Sequence, residues 1–326
     1  MRRISFFLLF VTFFFWIVSF HGDAETVLVV QSYNSNNSWD KSYKKGLEDS
    51  LGEKHVLMYF EMDTKRLPQT EFSNRADKAW ELYKERSPDL VVLADDNALK
   101  LLGPRFVGIK TPVVYLGINA NPREYGVARA TNVSGVLERP LLRRSILMLN
   151  KIMPIDKALL LMDSSETSRV IKEEIFYGND EIKLGETHVD IKLVDNLDQW
   201  HELVLGAKKH GYDVLIAALY HTLSDGSGNH IDAEKIIQWT SRNTPIPPFG
   251  FWDFSIGNSA NIGGYVVSGY EQGKAAGEMV ERVLTEGERV RPYMLNRGEY
   301  VFSRSQLKKW DINLPDEIKN EVRFIE

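Results

Sequence analysis

A repeated change of hydrophobic period constrains this chain more than any other feature: short β-branched runs alternate with longer segments whose apolar residues recur every three or four positions. A period of 2 marks strands and one of 3.6 marks helices, so the alternation specifies strand and helix units laid around parallel sheets. Residues 26–31 open as a strand. Ser38 is a candidate cap for the next helix, where Trp39, Tyr43, Leu47 and Leu51 fall at every fourth position and form one apolar face. Residues 55–60, 89–94 and 112–118 read as further strands, with a helix over 72–86, and these units make one open, doubly wound sheet. The pattern restarts at 132–137, and the strands 157–162, 188–194, 213–219 and 248–252 alternate with helices at 141–152, 166–176, 198–209 and 233–241. A strand at 263–267, a helix over 271–285 and a closing strand and short helix over 300–315 end the chain. The expected class is α/β, two Rossmann-like lobes with parallel sheets. No run rich in Pro, Gly or Ser separates the halves, so short crossovers acting as a hinge are expected.

Arg2 and Arg3 precede an apolar run from Ile4 to Phe20, and small residues follow at Gly22 and Ala24. That order is an export signal, with cleavage expected after Ala24; an uncleaved anchor is the other reading. The remaining length exceeds the size at which one core stops growing, which also favours two lobes. The formal net charge of -5 offers no footprint for nucleic acid. With no cysteine in the chain, disulfides, thiolate nucleophiles and thiolate metal sites are all excluded. The expected compartment is the periplasm.

In open parallel sheets, ligands sit beyond the carboxyl ends of the strands. The residues there are Ser32, Tyr33, the run 34–39, Asp95, Asp96, Asn97, Asn119 and Asn121 in the first half, and Asp163, Ser164, Ser165, Tyr220, His221, Trp252, Asp253 and Phe254 in the second. Together they offer carboxylates, amides, hydroxyls and flat aromatic walls, the inventory of a small-molecule site. For Asp95, Asp96, Ser164, Ser165 and Asp253, helix capping and ligand contact are both open; Trp39 is either core or a stacking wall. Tyr33 and Trp252 are expected against the ligand, and Trp252→Ala is expected to weaken binding without unfolding the protein. Catalytic patterns are missing: there is no G-x-S-x-G elbow, H-E-x-x-H, P-loop or G-x-G-x-x-G. The loop from Asp225 to Asn229 has the residue types of a calcium loop, but His230 stands where glycine is required. A two-lobed hydrolase would need a nucleophile or metal that these patterns do not supply, so no enzyme, cofactor or metal is expected.

Four segments carry a likeness. The opening Val27 to Leu51, with Ser32-Tyr33 and Trp39 ahead of a helix, the run PVVYLGINANPREYG followed by NVSGVLE, the run GGYVVSGYEQGKAAGEMVERVLTEGE, and the closing Tyr300 to Pro315 stand in order along the chain. In that order they resemble the ABC-transporter substrate-binding family related to tryptophan- and tyrosine-binding proteins. Asn34 replaces the usual His, and Asn121-Pro122 stands where Asp-Pro is common. The resemblance implies the type I periplasmic-binding-protein fold, with lobe one at 25–137 plus 268–288 and lobe two at 138–267 plus 289–326. It implies ligand contacts at Ser32, Tyr33, Asp95, Asp96, Asn119, Ser164, Ser165, Tyr220, Trp252 and Asp253. The expected function is capture of a small molecule, an amino acid among the candidates, by a monomer that presents it to a membrane permease. The alternative is a ligand sensor that switches a membrane kinase or cyclase.

Overall fold

A computed structural model describes residues 24–287 and 291–326; the expected leader lies outside them apart from Ala24. The first stretch holds β1 (Thr26–Gln31), α1 (Ser38–Leu51), β2 (Val56–Glu61), α2 (Phe72–Arg86), β3 (Leu90–Ala94), α3 (Asp95–Leu102), β4 (Val113–Ile118) and β5 (Val133–Leu137). Next come α4 (Leu142–Ile152), β6 (Lys157–Asp163), α5 (Glu166–Phe176), β7 (Glu181–Leu184), β8 (Thr187–Val194), α6 (Leu197–Gly206), β9 (Val214–Leu219), α7 (Ala233–Asn243) and β10 (Pro248–Phe249). The chain closes with β11 (Gly263–Val266), α8 (Gly269–Glu286), β12 (Tyr293–Met294), β13 (Glu299–Ser303), α9 (Arg304–Lys309), α10 (Asp316–Lys319) and β14 (Arg323–Ile325).

One sheet has the order β12-β5-β4-β3-β1-β2 and the other β10-β9-β6-β8-β7; a small sheet, β11-β13-β14, lies by the crossovers. All pairs in the first sheet are parallel, and in the second only β7 runs antiparallel, against β8. Helices on both faces bury both sides of the central strands, so Val27 and Val29 enter one core while Leu28 and Val30 enter another.

Three expectations change. The second sheet does not start at 132: β5 pairs with β4, because its run Val133–Leu137 completes the first sheet before the chain crosses. Nor does the chain leave the first lobe at 289, since Tyr293–Met294 still pairs with β5. The cap of α1 is Asn37, whose side chain accepts from Trp39 N at 2.9 Å and Asp40 N at 3.4 Å, not Ser38. The apolar face of α1 does form as expected, with Trp39, Tyr43, Leu47 and Leu51 buried. That face packs closely on α8 because glycines lie between the two backbones. A Cβ at Gly273 would sit 1.9 Å from the carbonyl oxygen of Tyr43, and one at Gly46 2.0 Å from that of Tyr270.

Candidate ligand-binding site

The carboxyl ends of β1, β3, β4 and β5 face those of β6, β9 and β10 across a small cavity. The first lobe lines it with Tyr33, Trp39, Lys65, Asp95 and Asn119; Glu138 enters from the crossover after β5. Thr167, His221, Trp252 and Phe254 line the opposite side. The expected strand-end geometry therefore holds, but it sorts the candidate residues into two kinds.

The first kind points polar atoms into the cavity. Asp95 is 3% exposed and holds the left-handed backbone with φ 69°, which turns the chain from β3 straight into α3. Gly117, itself at φ 69°, leaves room for it: a Cβ there would lie 3.2 Å from Asp95 Oδ1. Asp95 Oδ2, Asn119 Oδ1 and Trp39 Nε1 are buried and have no hydrogen-bond partner among the described residues. Burial pushes the Asp95 carboxyl up, and the nearby acids Asp40, Glu138 and Asp96 push it further. Trp39 is thus both core and wall: 4% exposed, edge-on to Tyr43, lining the cavity and with its indole N–H unpartnered among the described residues.

The second kind is spent on the fold. Ser32 donates to the carbonyl of Ala94 at 2.6 Å and accepts from Ala98 N at 2.9 Å, tying β1 to the start of α3. Asp96 accepts from Asn119 N, Ala120 N and the Tyr125 hydroxyl at 3.0 to 3.1 Å. Ser165 caps α5, and Ser164 donates to Asp195. Tyr220 is buried between Trp200 and a stacked His221. Asp253 accepts from Ser42 at 3.2 Å through Oδ2 and its Oδ1 is buried without a partner among the described residues, but it lies outside the cavity lining, which its neighbour Phe254 reaches. Ser32, Asp96, Ser164, Ser165, Tyr220 and Asp253 are therefore outside the lining; Tyr33, Trp39, Asp95, Asn119 and Trp252 are in it. The loop at Asp225 is likewise self-contained, its carboxylate accepting from Ser227 N and Asn229 N.

Trp252 is 2% exposed, lies in the main core and donates its indole N–H to Glu138. Its removal without consequence for folding is not what this packing allows. Burial raises Glu138 to about 8 even though Trp252 and Asn119 donate to it. His221 is lowered to about 4, first by burial and then by Lys65, so a neutral ring lines the site at ordinary pH. Two contacts hold the lobes together at the mouth: Tyr33 Oη to Thr167 Oγ1 at 3.4 Å, and Lys100 Nζ to Glu166 Oε1 at 2.6 Å. Sequence reasoning missed Lys65, Glu138 and Thr167. All three sit just past the carboxyl ends of β2, β5 and β6, so the strand-end rule applied to every strand would have found them.

No family model and no curated protein matches the sequence. Solved structures do. An ABC domain from Streptococcus pneumoniae in complex with L-Trp is 16% identical, with a TM-score of 0.67 over 93% of this chain and 100% of that one. A conserved domain protein from Vibrio cholerae is 14% identical (TM-score 0.65, over 93% and 100%). A substrate-binding protein with adhesive properties from Clostridium difficile, in a ligand-free open structure, is 13% identical (TM-score 0.62, over 93% and 99%). With two parallel-stranded lobes, short crossovers and a cavity between strand ends, this chain has the type I periplasmic-binding-protein fold.

Proposed function

We propose that the protein captures a small molecule, an amino acid or similar small amphiphile, between its lobes in the periplasm and presents the closed complex to the permease of an ABC importer. One observation carries the reading: an indole N–H and two carbonyl-type oxygens, on Trp39, Asp95 and Asn119, are buried around one cavity without partners. A buried polar group left unsatisfied costs about 1–3 kcal/mol, so three in one place favour a ligand that satisfies them. One donor and two acceptors match a molecule with a carboxylate or carbonyl at one end and an ammonium at the other. The L-Trp complex of the Streptococcus protein supports the amino-acid class. The export signal read from Arg2, Arg3 and the apolar run supports the compartment.

A ligand touching both lobes has differential affinity for the closed form and so shifts the open and closed populations. Closure is then the signal a membrane partner reads. Thermal shift of the purified protein against amino acids, amines, sugars and nucleosides tests this. A true ligand at about 100 times its dissociation constant adds about 2.7 kcal/mol of stability. Stabilisation by sugars or nucleosides alone, with none from any amine or amino acid, would sink the ligand class.

A further inference from the structure

The cavity's aromatic residues are arranged around one another as well as around the space. Phe254 is their hub: Trp252 stacks on it at 6.1 Å and 22°, His221 meets it edge-on at 5.1 Å and 81°, and Trp39 meets it edge-on at 6.4 Å and 79°. Trp252 and Phe254 stack directly on each other, so no slot between them awaits a ligand's own ring. The faces of such rings are negative, and a face turned to the cavity attracts a compact organic cation. An ammonium already rests on one of the rings, since Lys65 Nζ lies 4.6 Å from the centre of Tyr33. With His221 neutral, no imidazolium competes for the space.

The polar atoms bear on the kind of cation. A primary ammonium carries three N–H donors. The cavity offers it two unpartnered acceptors, Asp95 Oδ2 and Asn119 Oδ1, beside aromatic rings, Glu138 and Thr167, with Lys65 at the Tyr33 side. An ammonium with methyl groups in place of N–H loses nothing on the ring faces and still meets the Asp95 carboxyl, which a buried cation beside it draws toward its charged form. Trp39 Nε1 remains as a donor for an acceptor on the same molecule.

We infer that the cavity is a cage for a compact N-methylated ammonium, held among Trp39, Trp252 and Phe254 away from Lys65, neutralised by Asp95, with its carboxylate or hydroxyl on Trp39 Nε1. The inference rests on the amine-binding reading above and narrows it away from aromatic amino acids. Titration calorimetry of the purified protein with glycine, N-methylglycine, N,N-dimethylglycine and glycine betaine tests it, with 3,3-dimethylbutanoate as the uncharged isostere of the betaine head. Affinity is expected to hold or rise with each methyl, and the isostere is expected to bind at least about tenfold more weakly than betaine. Phe254→Leu should weaken betaine several-fold more than glycine. A tenfold loss on the first methylation, or binding of only unmethylated or aromatic amino acids, overturns the cage while the proposed function stands. Binding of no member of the series and of no amino acid overturns both.

Discussion

At the edge of the first sheet, Asp95, Asn119 and Trp39 bring buried polar atoms that nothing else among the described residues satisfies. At the facing edge of the second sheet, Asp163 is equally buried, but it accepts from Ser168 Oγ at 2.7 Å, Thr222 N at 3.0 Å and Ser165 N at 3.2 Å. The consequence shows in their charge. Burial alone would raise Asp163, yet Lys65 and its donors bring it below the usual carboxylate range, whereas Asp95 is driven upward. Burial raises the adjacent Asp96 as well, but three donors hold its carboxyl where Asp95 Oδ2 has none among the described residues. Two acids at similar depth differ because donors surround one and not the other, and the one without donors is the one facing the cavity. The unpartnered polar atoms of the cavity thus come from the first lobe, and the second supplies the facing wall.

The largest test of this division is Trp252→Ala. Emptying a core position of a tryptophan costs about 3–5 kcal/mol, and the Glu138 carboxyl loses its indole donor as well. Urea denaturation should show that loss together with loss of ligand binding; a drop under about 1 kcal/mol would mean that the crossover wall is not part of the core.

The pH dependence comes next. Glu138 sits at about 8 in the folded protein against an ordinary value of 4.5, so folding favours its protonated form. Its contribution is complete below about 4.5 and is lost as pH rises toward about 8, on the order of a few kcal/mol. His221 has the opposite sign: lowered to about 4 from 6.5, it adds stability as pH rises through that window. Above 6.5 only the buried acids still change. The melting temperature of Glu138→Gln should therefore fall less steeply than the parent's between pH 6.5 and 8, and parallel curves would show that Glu138 is ionised in the fold.

The smallest effects come from the neighbouring acids. Asp96→Asn takes a carboxylate away from three donors and should cost about 1–3 kcal/mol of stability with ligand affinity nearly unchanged. Asp95→Asn, which tolerates the same left-handed backbone, should leave stability within about 1 kcal/mol while weakening ammonium ligands about tenfold or more. Exchanged outcomes in paired denaturation and binding measurements would reverse the roles given to the two residues.

Strand ends were legible because sequence period reports them. Residues 26–31 alternate across two cores, and the every-fourth-position face of α1 is buried as read. The strands missed, β7, β12 and β14, have two to four residues, too few to show a period, and all their positions are at least partly exposed; the helices α3 and α10 were also missed. Within the site, position after a strand located Tyr33, Asp95, Asn119 and Trp252, but it placed Ser32 and Asp96 beside them on equal terms. A serine or aspartate after a strand has the same sequence signature whether it caps a helix or faces a ligand. The difference lies in which backbone amides come within 3 Å, and residues 23 to 66 positions away supply them, as Ala120 does for Asp96 and Ala98 for Ser32.

By itself the sequence determined the alternating layers, the edge at which ligands would meet them, and the residue types present there, because these follow from local period and chain direction. Only the tertiary structure decided which of those groups are satisfied within the protein and which are left bare. Satisfaction depends on distant backbone and side chains converging on one point, and no local pattern encodes that convergence.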